Sequence, residues 1–140
     1  MSPQRVLFLC THNSARSQMA EGFLRARGGP AFEAFSAGSE ATIVRPEAIQ
    51  VMAEVGIDIS GQESKRLDRF FGQPFDWAIT VCNFNACESC PVFLGARGML
   101  RWDIEDPSAA TGSDDDRLAV FRRVRDQLGQ HVRDFLTSAA

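Results

Sequence analysis

No apolar run in this 140-residue chain approaches the roughly 18 residues that a membrane-spanning helix needs. The first ten residues lack the basic region, apolar stretch and cleavage site of a secretory leader, so a cytoplasmic protein is expected. The formal charge is only −3, which argues against general nucleic-acid binding but leaves room for a small anion held by a few local groups. Tyrosine is absent, and of 15 basic residues only one, Lys65, is lysine. Internal repeats, low-complexity tracts and linkers are missing too. A single domain over residues 1–140, acting as a monomer, is expected; its apolar content of 44% is ordinary for a chain with one core.

Cysteine is scarce and unevenly placed. Cys82, Cys87 and Cys90 fall within nine residues, and Cys10 stands alone. In a reducing compartment structural disulfides are not expected, and clustered thiols point to metal binding or redox chemistry. For zinc the cluster offers three thiolates where a closed site wants four ligands. The only histidines, His12 and His131, fall in the loop after the first strand and on the last helix. No bound metal or cofactor is therefore expected.

What is present alternates strand with helix. Residues 5–9 read as a strand buried on both faces, because Val6, Leu7, Phe8 and Leu9 do not alternate with polar residues. Residues 17–27 carry Met19, Ala20, Phe23 and Leu24 as a helical stripe ended by Gly28-Gly29. Residues 32–37 predict a second strand. Residues 47–55 predict a helix after Pro46, with Gly56 as its C-terminal cap. Residues 75–81 predict a third strand and 99–102 a short fourth. Ser113 caps a long last helix, with Asp114, Asp115 and Asp116 in its first turn. The pattern implies a three-layer α/β/α fold: a four-stranded parallel sheet wrapped by helices on both sides. Ligands of such sheets sit at the C-terminal ends of strands, where Cys10 and Cys82 fall. About 17 residues without clear structure follow the third strand. That is long for a compact domain, and Gly95 and Gly98 are expected to loosen its far end.

The stretch "VLFLCTHNSARS" carries the chemistry. A loop of small residues between a strand and a helix can turn its backbone N–H groups inward as an anion nest. The helix N-terminus adds donors and the positive end of a dipole. Arg16 offers a planar fork that matches two oxygens of a tetrahedral oxyanion. The same field favours the thiolate of Cys10, so a nucleophile would lie under the bound oxyanion. Thr11, His12, Asn13, Ser14, Ala15 and Arg16 are the candidate oxyanion-binding residues. Asn13 tolerates the left-handed backbone that a tight loop can require. His12 is not read as catalytic, and Trp77 and Trp102 read as core.

This stretch resembles the anion loop of the low-molecular-weight protein tyrosine phosphatases and of the thioredoxin-coupled arsenate reductases that share their fold. The resemblance runs over nearly the whole chain, through "SAG" at 36–38, "EVGIDIS" at 54–60, "ESK" at 63–65, the third strand with its Cys, and "EDP" at 105–107. It implies that Asp106 is the acid for the leaving group and that Ser17 donates to the nucleophilic sulfur. The phosphatases typically follow this Asp-Pro with an aromatic residue, where this chain has Ser108. "VCNFNACESCP" at 81–91 resembles the redox segment of the reductases. It implies a relay in which Cys82 attacks the Cys10 sulfur and Cys90 then attacks Cys82. Cys87 is the alternative resolving thiol. Thioredoxin, or glutaredoxin, would reopen the final disulfide. The alternative within the superfamily is a phosphomonoesterase. A non-catalytic oxyanion sensor is disfavoured by the intact Asp106. Some reductases of this family bind potassium beneath the loop. Asn13, Glu21 and Ser36 match three of the positions that hold it, and Lys65 takes the place of the acid. The resemblance thus implies an ammonium group in place of the ion, and activity indifferent to potassium.

Overall fold

The computed structural model describes residues 3–83 and 91–139. Four strands, β1 (Gln4–Cys10), β2 (Phe32–Gly38), β3 (Phe75–Cys82) and β4 (Ala96–Asp103), form one sheet in the order β2-β1-β3-β4. Every pairing is parallel. The helices are α1 (Arg16–Arg27), α2 (Pro46–Ala53) and α3 (Asp114–Ala139), with 3-10 turns at Gly29–Ala31, Leu67–Phe70 and Pro107–Ala109.

The unbroken apolar run of β1 is explained by two cores. Val6 and Phe8 face one side with Ile79, Val81, Trp102 and the apolar stripes of all three α-helices. Leu7 and Leu9 face the other with Ala37, Phe70, Phe75, Ala78 and Phe93. Among the described residues the second side is covered by the turn Leu67–Phe70 and the segment carrying Phe93, not by an α-helix. There Phe35, Phe70, Phe75 and Phe93 meet edge to face, with centroids 5.5–5.8 Å apart.

Local signals set the element ends. Gly56 adopts φ +81° after α2. The Ile57 N–H reaches Met52 O at 3.0 Å and the Gly56 N–H reaches Ala53 O at 3.0 Å, the paired bonds that close a helix around a left-handed residue. At the start of α3 the Ser113 hydroxyl accepts the Asp116 N–H while the Asp116 carboxylate accepts the Ser113 N–H, both at 3.1 Å. Such a cap contributes about 1 kcal/mol.

The fourth strand departs from expectation. It begins at Ala96 rather than at residue 99, which shortens the segment after β3. Gly98 does not loosen anything: it pairs with Trp77 across the ladder, and a Cβ there would lie 2.8 Å from the Trp77 ring. The glycine makes room for an indole, whose Nε1–H is bound by Gln4 Oε1 at 2.9 Å. Among the described residues no helix is long and apolar enough to cross a membrane.

Candidate active site

β1 delivers Cys10 to the C-terminal edge of the sheet, where it is 2% exposed and free. The chain then turns through residues 11–15 into α1. Asn13 takes the single left-handed non-glycine backbone among the described residues, at φ +49°. The carbonyls of residues 11–14 are engaged from outside the loop, and that of Ala15 accepts the Met19 N–H of α1 at 2.9 Å. Thr11 O accepts the Glu40 N–H at 3.1 Å, and Ser14 O accepts the Arg45 N–H at 2.8 Å. His12 O accepts the Thr42 and Ser64 hydroxyls, each at 3.2 Å. Asn13 O accepts Gln18 Nε2 at 3.1 Å. In a trans peptide the next residue's N–H points opposite the carbonyl, and no cis bond occurs among the described residues. Carbonyls held outward therefore leave the N–H groups of this stretch for the loop's concave side, as an oxyanion nest requires.

The sulfur sits in a directed ladder. Cys10 Sγ lies 2.8 Å from Ser17 Oγ, and Asn13 Nδ2 donates to that same hydroxyl at 2.7 Å. Ser17 is the second residue of α1, yet its hydroxyl serves the thiol rather than capping the helix. Arg16 opens α1 and is 2% exposed. Its Nη1 donates to Ile104 O at 3.1 Å, and its Nη2 lies 3.8 Å from Asp106 Oδ2. Asp106 in turn accepts the Ser108 N–H at 2.9 Å, which fixes the carboxylate at the start of the turn Pro107–Ala109. Cys10, Arg16, Ser17 and Asp106 thus converge from residues up to 96 apart in sequence (106 − 10).

Lys65 lies beneath the loop. Its backbone N–H donates to Asn13 Oδ1 at 2.7 Å. Its ammonium donates to Glu63 O at 2.6 Å and lies 3.8 Å from Glu21 Oε1, which also accepts the Ser36 hydroxyl at 2.5 Å. Burial pushes the Lys65 ammonium below the usual lysine range, against the opposing pull of Glu21 and Glu63. Asn13, Glu21, Ser36 and Lys65 therefore form one buried cluster. His12, by contrast, points outward and meets Glu40 at 3.1 Å.

Cys82 ends β3, next to β1 in the sheet, and is fully buried. Its carbonyl accepts the N–H of Ile104 at 3.1 Å, the same residue whose carbonyl anchors Arg16. It is disulfide-bonded, and Cys10 is not its partner. Strand alternation sets Cys82 on the face of Ala78, whereas Cys10 follows Val6 and Phe8 on the helical face. Cys87 and Cys90 lie outside the described residues.

Two residues of the site have no role assigned to them from the sequence. Gly38 reads as the end of a strand and as the last residue of "SAG", but a Cβ there would stand 2.8 Å from each of Asn13 N, Cys10 O and Thr11 O. It is the floor on which the loop rests. Gln18 is fully buried and bonds the loop to residues 62–63. A glutamine one position after Ser17 reads as solvent-facing, and only its adjacency to the loop could have singled it out.

Comparisons with known proteins agree with this geometry. The model of the family described as low molecular weight phosphotyrosine protein phosphatase matches residues 5–140. An arsenate reductase of Halalkalibacterium halodurans is 42% identical over 135 residues, 96% of each chain. A solved structure of an arsenate reductase in the phosphate binding state superposes with a TM-score of 0.81 at 36% identity, covering 98% of this chain and 99% of the other. A thioredoxin-dependent arsenate reductase of Corynebacterium glutamicum superposes with a TM-score of 0.70 at 26% identity, covering 97% of this chain and 61% of that one.

Proposed function

Since the chain belongs to the low-molecular-weight phosphotyrosine protein phosphatase family, we propose that it works on that scaffold as an arsenate reductase, converting arsenate to arsenite. The observation that carries this reading is the pairing of two thiols at neighbouring strand ends: Cys10 free within the hydrogen-bonded loop, and Cys82 engaged in a disulfide one strand away. A hydrolase needs the first thiol and has no use for the second.

In the first step the Cys10 thiolate attacks As(V), held by the loop of Thr11–Arg16 residues and the Arg16 fork, and an As–O bond breaks. Asp106 gives the departing oxygen its proton. Cys82, as thiolate, then attacks the Cys10 sulfur. The S–As electron pair stays on arsenic, which leaves as arsenite, and a Cys10–Cys82 disulfide forms. Cys90 attacks Cys82 next, returning Cys10 to its thiolate form and leaving Cys82–Cys90; Cys87 is the alternative thiol for this step. A thioredoxin-type dithiol reduces that disulfide and is itself oxidised. A Cys10 that is free while Cys82 is bonded matches the state after the third thiol has acted. Because the two side chains leave their strands on opposite faces, the Cys82 attack requires the last residues of β3 to detach from β4 and rotate. The buried Lys65 ammonium beside Glu21 supports its standing where some relatives hold a cation.

The Cys82→Ser variant tests the assignment. Turnover of arsenate with thioredoxin and its reductase, assayed beside glutaredoxin with glutathione, should vanish. Hydrolysis of a small phosphomonoester such as p-nitrophenyl phosphate should stay within about twofold of the parent, because that reaction needs only Cys10, Arg16 and Asp106. Survival of both activities removes the relay and leaves a phosphatase.

A further inference from the structure

The mechanism above uses Cys10, Ser17 and Asn13 but does not say what keeps the ladder pointing toward sulfur. An asparagine amide can face either way, and a hydroxyl donates only once. If Asn13 turned its oxygen to Ser17, the serine proton would be drawn to that oxygen and away from Cys10. The direction is settled one layer further out. Asn13 Oδ1 meets two donors: the Lys65 backbone N–H at 2.7 Å, which cannot be reversed, and Gln18 Nε2 at 2.9 Å. Its Nδ2 is thereby left for Ser17 Oγ at 2.7 Å, and the lone Ser17 proton for Cys10 Sγ at 2.8 Å.

Gln18 is itself oriented without ambiguity. Its Nε2 faces three acceptors: Asn13 Oδ1, Asn13 O at 3.1 Å and Glu63 O at 2.9 Å. Its Oε1 accepts Gln62 Nε2 at 2.8 Å. The same amide group thus binds both the side chain and the main chain of the left-handed residue, and it joins the loop to the segment that carries Lys65. Gln18 is fully buried, so none of these bonds is exchanged cheaply for water.

The geometry points to Gln18 as a positioning residue for the nucleophile: through Asn13 it fixes the direction of the Ser17 proton and so holds the Cys10 thiolate. This rests on the reading of Cys10 as the nucleophile, and it assigns the role to a side chain that touches neither sulfur nor substrate.

The test uses the full chain with Cys82, Cys87 and Cys90 each changed to Ser, so that Cys10 is the sole thiol and its alkylation by iodoacetamide reports the thiolate. Adding Gln18→Met keeps the side-chain volume and removes the donors. Alkylation at about pH 6 should fall about fivefold, with the difference closing as pH rises. Gln18→Lys, which restores donors, should stay within about twofold of the parent. A role confined to packing would lower thermal stability and leave the pH profile in place. Unchanged alkylation in Gln18→Met overturns the proposal, as does a Gln18→Lys variant that is equally slow. Should Gln18→Met fail to fold, side-chain amide exchange in the 15N-labelled unaltered protein decides. Slow exchange at both Asn13 and Gln18 supports the fixed ladder, and rapid exchange at either overturns it. None of these readouts involves arsenate. Absent arsenate turnover in the parent protein would sink the reductase reading while leaving the Gln18 result to stand or fall alone.

Discussion

Cys10 and Cys82 end adjacent parallel strands, and the described surroundings of residues 11–18 differ from those of residues 91–95. After β1, four consecutive carbonyls are bound from outside, the left-handed residue is held at its side chain and main chain, and the sulfur has a directed donor. The described stretch that leads into β4, residues 91–95, presents apolar side chains outward. Pro91 O accepts the Thr80 hydroxyl at 3.1 Å and Phe93 packs on the aromatic cluster, while Val92 and Leu94 stand 59% and 83% exposed beside an exposed Phe71. The difference follows the chemistry proposed for each end. Stabilising a tetrahedral anion and a thiolate requires dipoles fixed in advance, since any reorganisation would be charged to the barrier. Passing a disulfide to an external dithiol requires access for in-line attack by a second protein.

The contrast can be broken by changes that act on one end alone. The largest effect is expected from Asp106→Asn, which removes the proton donor and leaves the loop intact. Formation of arsenite should slow about 100-fold, while thioredoxin should reduce the oxidised Cys82 disulfide at an unaltered rate. Stopped-flow measurement of the two half-reactions checks both, and equal slowing of both would erase the distinction. Next is Gly38→Ala. Its Cβ would crowd three backbone atoms of the loop, none of which is the end of a flexible side chain. A loss of about 2 kcal/mol in denaturant unfolding is expected, together with weaker phosphate binding. Wild-type phosphate affinity in that variant would mean that the loop does not depend on its floor.

The smallest effect concerns a residue at neither end. His131 of α3 stacks on Trp102 with ring centroids 4.9 Å apart. Burial lowers its affinity for a proton below that of an ordinary histidine, with Asp134 pulling weakly the other way. With the folded-state value depressed, the unfolded chain binds the proton more readily just below about pH 6.5. Stability should therefore fall as pH falls through that value, and the penalty is complete once the folded-state value is passed. His131→Phe should flatten this part of the pH–melting profile without altering either half-reaction. A profile that keeps its slope in the variant would place the acid sensitivity elsewhere.

Much of the molecule was legible in the linear chain because its strongest signals are local. An apolar run halting at Cys10, small polar residues, then Arg16 and a helical stripe is a contiguous pattern, and the structure places Cys10, Arg16 and Ser17 together. Gly56 and Ser113 announced helix ends through backbone chemistry that needs no tertiary partner. What stayed hidden depends on contacts across the fold. β4 is an edge strand whose residues alternate between half-buried and exposed, so its first half looked like loop. Gly98 passed for a breaker because the ring that fills its space lies 21 residues away (98 − 77). Gln18 carries a polar side chain into a position with no exposure, against the pattern rule that reads polar as outward. The proximity of Lys65 to Asn13, 52 positions apart, is set by the bridge between Gly38 and Arg66 at the end of β2.

The central claim is that electrons reach arsenic through a bond between the sulfurs of Cys10 and Cys82. It is tested by mixing fully reduced protein carrying Cys87→Ser and Cys90→Ser with arsenate, trapping free thiols with an alkylating agent, and mapping disulfides by mass spectrometry. The account predicts one arsenite released per chain and a trapped Cys10–Cys82 disulfide. Release of arsenite with Cys82 still alkylatable, or no arsenite from a protein that still hydrolyses phosphate esters, would contradict it.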